Sequence, residues 1–273
     1  MFIDSHAHLF FEDYKDDLDK VINRARDVGV EYIVCPGTDV ETSRKSIELA
    51  ERYDMVYACV GFHPHDASKA DEKSLEEIEK LSHHPKVVAI GEIGLDYHYN
   101  FSPSETQRSV FARQIDIARQ RNLPIVIHSR DSESDTLRIV EEKIKQDRDW
   151  RSNVVQAYGR YPAPRGVFHC FPGDSVMAWK VIDSGFYISI PGLVTFPNRV
   201  GKPNLMVEVA TKVSAEHILL ETDSPYLAPV PYRGKRNEPA YLKYVVEKLA
   251  IITGKNVEEV AEITTKNAEN VFS

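Results

Sequence analysis

The chain has 273 residues, 42% hydrophobic and 28% charged, which suits a soluble globular protein long enough for one large α/β core or two small ones. Its net charge of −8 excludes a bulk positive field, so any attraction to a polyanion has to be local. No run approaches the ~20 apolar residues of a membrane span, and Met1-Phe2-Ile3-Asp4 carries no basic or apolar leader, so no membrane association and a cytoplasmic location are expected.

Short apolar runs alternate with longer segments of helical period. Phe2–His6 opens the series as a strand, and Leu18, Val21, Ile22, Ala25 and Val28 then recur at helical spacing. Tyr32–Cys35, Val56–Gly61 and Val87–Gly91 follow as strands, rich in the β-branched residues of parallel strands covered on both faces. Ser102-Pro103-Ser104-Glu105 predicts a helix start, with Ser102 as the cap, Pro103 in the first turn and Glu105 completing a capping box. Further strands are predicted at Ile125–His128, Gly166–His169, Phe186–Ile190 and His217–Glu221. Beyond them, Tyr241, Tyr244, Val245 and Leu249 mark one helical face, and Val257, Val260, Ala261 and Thr264 another.

Eight strands, each followed by a helix, predict a (β/α)8 TIM barrel, taken here as a single domain over 1–273. An open doubly wound sheet is the alternative, but it predicts a glycine-rich phosphate loop after the first strand, where this chain has His6-Ala7-His8. Lys145–Arg165 is too long for an ordinary helix-to-strand connection. It is expected to be a surface insertion starting on the face opposite the active site. Cys35, Cys59 and Cys170 form no C-x-x-C pair and are expected as small buried side chains in a reducing compartment.

Polar residues gather where the predicted strands end, which is the active-site face of this fold. His6 and His8 lie two apart on one strand, so both imidazoles point to one side. Glu92 follows an apolar strand and would be costly to bury unless paired or metal-bound; as a bridging ligand it could offer one oxygen to each of two cations. His128, His169 and Asp223 stand at three further strand ends. Together these imidazoles and carboxylates predict a metal centre of Mg²⁺, Mn²⁺ or Zn²⁺ without thiolate ligands. His63, after the third strand, and Arg130, two residues past His128, are candidates for holding substrate. Arg233, Lys235 and Arg236 form a basic cluster in the loop after the last strand, where barrels often bind phosphate. His65 and His98 are left open. His83, His84 and His217 belong to the opposite face.

With these residues in place, the chain resembles the TatD family of metal-dependent deoxyribonucleases along nearly its whole length. The matching stretches are Asp4-Ser5-His6-Ala7-His8, Gly61-Phe62-His63-Pro64, Gly91-Glu92-Ile93-Gly94-Leu95-Asp96-Tyr97, His128-Ser129-Arg130, His169-Cys170-Phe171, Glu221-Thr222-Asp223-Ser224-Pro225 and the run from Arg233 to Pro239. The resemblance implies an amidohydrolase-type barrel with two divalent cations. One would take His6, His8 and Asp223, the other His128 and His169, with Glu92 shared. It implies a deoxyribonuclease that cuts DNA phosphodiester bonds as a 3′-5′ exonuclease, on single strands or 3′ ends, with Asp223 and Glu92 as its catalytic carboxylates. Hydrolysis of another ester, lactone or amide bond on the same scaffold is the alternative. A monomer is expected, since no amphipathic stripe is left over once the barrel helices are assigned.

Overall fold

Eight parallel strands pair in sequential order, each with the next along the chain. They are β1 (Phe2–Asp4), β2 (Val30–Pro36), β3 (Val56–Val60), β4 (Val87–Asp96), β5 (Ile125–Arg130), β6 (Gly166–Phe168), β7 (Phe186–Ile190) and β8 (Ile218–Leu220). Helices alternate with them: α1 (Leu18–Asp27), α2 (Val40–Arg52), α3 (Glu72–Leu81), α4 (Ser104–Arg121), α5 (Glu133–Gln146), α6 (Ser175–Asp183), α7 (Leu205–Lys212), α8 (Leu242–Thr253) and α9 (Val257–Phe272). The structure is a computed structural model that describes residues 1–151, 163–198, 201 and 203–273. The seam between first and last strands closes at its upper end. Ser5 N–H donates to Leu220 O at 3.0 Å, Asp223 N–H to His6 O at 2.9 Å and His8 N–H to Ser224 O at 2.8 Å. The architecture is the expected TIM barrel, nearly closed.

Side-chain alternation explains how the barrel positions a site. Ile3, Val34, Cys59, Ala89, Val126, Val167 and Leu219, one from each of seven strands, form a buried cluster with Ala268 and Val271 of α9. Tyr187 of β7 packs against it. These side chains plug the barrel, and α9 closes it from below. Two residues further along each strand direction, the corresponding positions are Ser5, Pro36, Gly61, Gly91, His128, His169, Ser189 and Glu221. The interior therefore gives up its apolar plug in one step toward the strand ends, becoming polar at Ser5, His128, His169, Ser189 and Glu221 and carrying no side chain at Gly61 and Gly91. A larger apolar cluster, including Val21, Ile33, Ile90, Phe111, Val140, Ile188 and Val245, fills the space between strands and helices.

Local signals account for several helix starts. Asp39 and Thr42 make a capping box for α2, and Asn256 and Glu259 another for α9. The predicted cap of α4 is different. Pro103 occupies the cap position with no side-chain bond, and Ser102 turns inward. Its hydroxyl donates to His65 O at 2.9 Å and accepts from Ser68 N–H at 3.0 Å, so it fastens the loop after β3 instead. On α8 the buried stripe is Leu242, Val245, Val246 and Leu249. Tyr241 lies to its side because it stacks on Tyr232, with ring centroids 4.1 Å apart.

The start of the Lys145–Arg165 segment is not a surface excursion. Lys145 ends in α5, Trp150 is buried with its indole N–H donating to Leu123 O at 3.0 Å, and buried Arg151 donates to Val271 O at 2.8 Å. An aromatic and a guanidinium thus wedge beneath the barrel between the start of β5 and the end of α9. The rest of the predicted insertion, residues 152–162, lies outside the described residues.

Candidate metal centre

Glu92 is the hub. Between Ile90 and Ile93 the β4–β5 register advances three residues on β4 against two on β5, a bulge that interrupts strand alternation beside Glu92. Glu92 Oε2 lies 3.3 Å from His6 Nε2 and 3.5 Å from His8 Nε2. Its other oxygen, Oε1, lies 2.9 Å from His169 Nε2, 3.0 Å from His128 Nδ1 and 3.4 Å from His63 Nε2. Asp223 Oδ1 faces the first set, 3.9 Å from His6 Nε2 and 3.7 Å from His8 Nε2. The six residues expected to ligate metal, drawn from positions 6 to 223 of the chain, meet at one mouth, and His63 joins them.

The loops are built to hold this arrangement. Buried Asp4 accepts from Thr222 N–H at 2.9 Å and from Thr222 Oγ1–H at 2.6 Å, which fixes the residue before Asp223. Asp223 itself has φ of +54°, a conformation that aspartate tolerates better than most residues. It aims the carboxylate back over the seam.

The donor spacings fit cations. Nitrogen and oxygen ligands at metal bond lengths of about 2.0–2.1 Å stand roughly 2.8–3.0 Å apart in octahedral sites and roughly 3.3–3.4 Å apart in tetrahedral ones. His6 Nε2 and His8 Nε2 are 3.2 Å apart, and His128 Nδ1 and His169 Nε2 are 3.3 Å apart. Burial holds the His8 imidazole down to about 3 and that of His63 to about 4, so both are neutral; His8 keeps a lone pair for a cation, while the Nδ1 lone pair of His63 accepts from His65 N–H at 3.2 Å. Burial alone would raise the Glu92 carboxyl, but His169, His63, His6 and His128 more than offset this and hold it well below the usual range. Burial, helped by the neighbouring Glu221 and Glu92 carboxylates and opposed by His169, pushes the Asp223 carboxyl up to about 8.

Two carboxylates behind the ligands were not anticipated. Asp96 Oδ2 lies 3.1 Å from His128 Nε2 and 2.9 Å from His65 Nε2, while its Oδ1 accepts from the N–H groups of His98 at 3.0 Å and Tyr99 at 2.9 Å. Asp96 is held below the usual carboxylate range: burial opposes this, but bonds from His128, Tyr99 and His65 prevail. An ionised carboxylate only accepts, so His128 carries a proton on Nε2, which leaves Nδ1, facing Glu92, as the nitrogen that a cation would take. Glu221 lies beneath the opposite wall. Its oxygens accept from Cys170 N–H at 2.6 Å and Ser189 Oγ–H at 2.6 Å, and His169 Nδ1 is 3.7 Å away. His6 and His169 stack at 4.0 Å above it. Asp96 was missed because β4 runs five residues beyond the expected Gly91. Glu221 had a usable signal, its spacing of two from Asp223, the same one that marked His6 and His8.

Other expectations change. Arg236 does not face the cleft: it forms a bidentate pair with Asp17 at 2.7 and 2.8 Å and packs over Tyr14. Arg233 and Lys235 are exposed and also lie outside the cleft lining, although Arg233 stacks on Phe196, which does line it. Arg130 and His65 line the cleft; His98 pairs with Asp131 outside it. Cys35 and Cys59 are buried as expected, whereas Cys170 is half-buried and borders the cleft.

The family model for TatD related DNase matches residues 3–273. The chain belongs to the TatD family. A Bacillus subtilis protein named as the uncharacterized metal-dependent hydrolase YabD is 44% identical over 272 residues, covering 100% of this chain and 99% of that one. A Salmonella typhimurium protein named 3′-5′ ssDNA/RNA exonuclease TatD is 33% identical over 273 residues, 98% of each chain. Among solved structures, the TatD homologue YjjV of Escherichia coli superposes with a TM-score of 0.87 at 28% identity, over 99% of this chain and 97% of that one. This member of the family is accordingly a metal-dependent hydrolase acting on ester bonds. Among the described residues no helix is long and apolar enough to cross a membrane.

Proposed function

We propose that the chain hydrolyses phosphodiester bonds of single-stranded DNA from the 3′ end, using two divalent cations from among Mg²⁺, Mn²⁺ and Zn²⁺. The division of Glu92 carries this reading: its Oε2 faces His6 and His8, and its Oε1 faces His63, His128 and His169. One carboxylate with a separate donor set at each oxygen suits a pair of ions better than one. His6, His8 and Asp223 would hold the first, and His128 and His169 the second. When bound, such a pair supplies Lewis-acid polarisation of the phosphoryl oxygens and a water of lowered pKa.

The protein's own residues do the rest. Asp223, mostly buried with 14% of its side chain exposed, is the general base for the attacking water. Glu92 sets the spacing of the two donor groups. Arg130, exposed at the cleft wall, supplies the local positive charge that an anionic strand needs on an acidic protein. The cleft, about 1230 Å³, admits more than a single small ligand. Every donor comes from one chain, so a monomer suffices. The relative named as a 3′-5′ exonuclease of single strands supports the polarity and the choice of substrate.

The test is digestion of end-labelled oligonucleotides by protein reconstituted with Mg²⁺, Mn²⁺ or Zn²⁺, beside a panel of carboxyl esters, lactones and amides. Metal-dependent shortening from the 3′ end is expected, and Glu92→Ala and Asp223→Ala should each abolish it with folding intact. Full activity in both variants, or turnover confined to the ester, lactone or amide panel, overturns the reading.

A further inference from the structure

We propose that two aromatic walls, one on each side of the metal centre, stack the two unpaired nucleobases that flank the scissile phosphate. The inference rests on the phosphodiesterase reading and adds what the strand must present.

On one side Tyr99 and Phe101 stack nearly parallel, with centroids 5.4 Å apart and planes 10° from each other. The Arg130 guanidinium lies 4.7 Å from the Tyr99 ring centre. Both rings stand edge-on to His65, at 5.4 and 4.9 Å, and His65 shares Asp96 with His128. This wall therefore borders the His128 half of the centre. On the other side Tyr226 packs against Phe11 at 5.9 Å, and Phe11 lies 5.3 Å from the His8 ring. That wall borders the His6–His8 half. Phe11, Tyr99, Phe101, Arg130 and Tyr226 all line the cleft.

Packing does not account for these rings. Phe101 is 68% exposed, Tyr226 54% and Tyr99 48%. Single exposed aromatics are ordinary, but pairs converging on one cleft mark a place where something apolar binds. The occupant must place an anion over the centre and a flat apolar ring on each side of it, with a cation beside one ring. A strand of nucleic acid has that chemistry, and base–aromatic stacking is sequence-tolerant. Bases in a duplex are already stacked and paired. Only a strand whose two terminal nucleotides are free can reach both walls, which derives single-strand preference from geometry.

The test uses an end-labelled oligodeoxyadenylate and the same strand with tetrahydrofuran abasic residues at the two nucleotides flanking the first cleaved bond. Stacking contributes about 1–3 kcal/mol per base, so removing both bases is expected to cost about 2–6 kcal/mol, or about 30- to 20,000-fold. Metal-loaded wild-type protein should prefer the natural strand by a factor in that range in kcat/KM. Phe101→Ala and Tyr226→Ala should each cut the preference by about fivefold or more, mainly through KM. Both rings are exposed, so unchanged melting temperatures should certify the fold of the variants. Equal cleavage of both strands by the wild type, or variants that keep the full preference, overturns the stacking walls and leaves the phosphodiesterase reading standing. Cleavage of neither strand overturns both.

Discussion

Asp96→Asn isolates the effect of orienting a ligand from behind. Asp96 Oδ1 is engaged by two backbone N–H groups, from His98 and Tyr99, and Oδ2 faces the imidazoles of His65 and His128. An asparagine side chain will keep its oxygen on the backbone donors and turn its NH₂ toward the two rings. That group donates, so His128 must offer it the Nε2 lone pair and move its own proton to Nδ1. Nδ1 is the atom 3.0 Å from Glu92 Oε1 and 3.3 Å from His169 Nε2, so the proton falls where a cation would sit. Loss of such a partner typically costs 10–100-fold in metal affinity or activity, or about 1.4–2.8 kcal/mol. Calorimetric titration of metal-free protein with Mn²⁺ should show one class of site weakened by about that factor and the His6–His8 class unchanged. Equal affinities in wild type and variant would refute the tautomer argument. Equal weakening of both classes would refute its confinement to the His128 half.

Chelation should lower the melting temperature, and metal added back at about 100 times its Kd should restore about 2.7 kcal/mol per occupied site; a melt indifferent to chelator contradicts the metal centre. Arg236→Ala should cost about 1 kcal/mol, the scale of a part-exposed bidentate pair, and leave KM for oligonucleotides unchanged, whereas a large rise in KM would restore Arg236 to the substrate site. The Asp17 carboxyl is held down to about 2, chiefly by its bond from Arg236. A depressed carboxyl stabilises fully above its unfolded value near about 3.9 and loses that contribution as pH falls through about 2. In urea melts the wild-type advantage over Arg236→Ala should therefore hold at about pH 5 and shrink between about pH 4 and pH 2; an advantage that persists in acid argues against the pair. Trp150→Ala should destabilise by about 3–5 kcal/mol, and a cost under about 1 kcal/mol would mean that the segment after α5 is surface after all.

The composition of the strand ends made the centre legible. His6 and His8 announced a shared face by their spacing, and His128, His169 and Asp223 each stood where an apolar run stopped. The barrel followed from the alternation of runs, because parallel strands buried on both faces leave a continuous hydrophobic signal. What the chain order could not disclose depends on contacts made across it. Glu92 reads as a possible bridge in sequence, but the allotment of its two oxygens depends on the β4 bulge and on rings that arrive from four other strand ends and loops. Arg236 looked like a phosphate ligand among basic neighbours until Asp17, far away in the chain, took both its nitrogens. Asp96 and Ser102 were likewise assigned by partners at positions 128 and 65. Local periodicity and residue chemistry thus determined the fold and the kind of site. Which polar atom faces which was decided by tertiary structure alone, because a carboxylate or guanidinium is claimed by the nearest buried partner, and nearness between distant residues exists only after the barrel has closed.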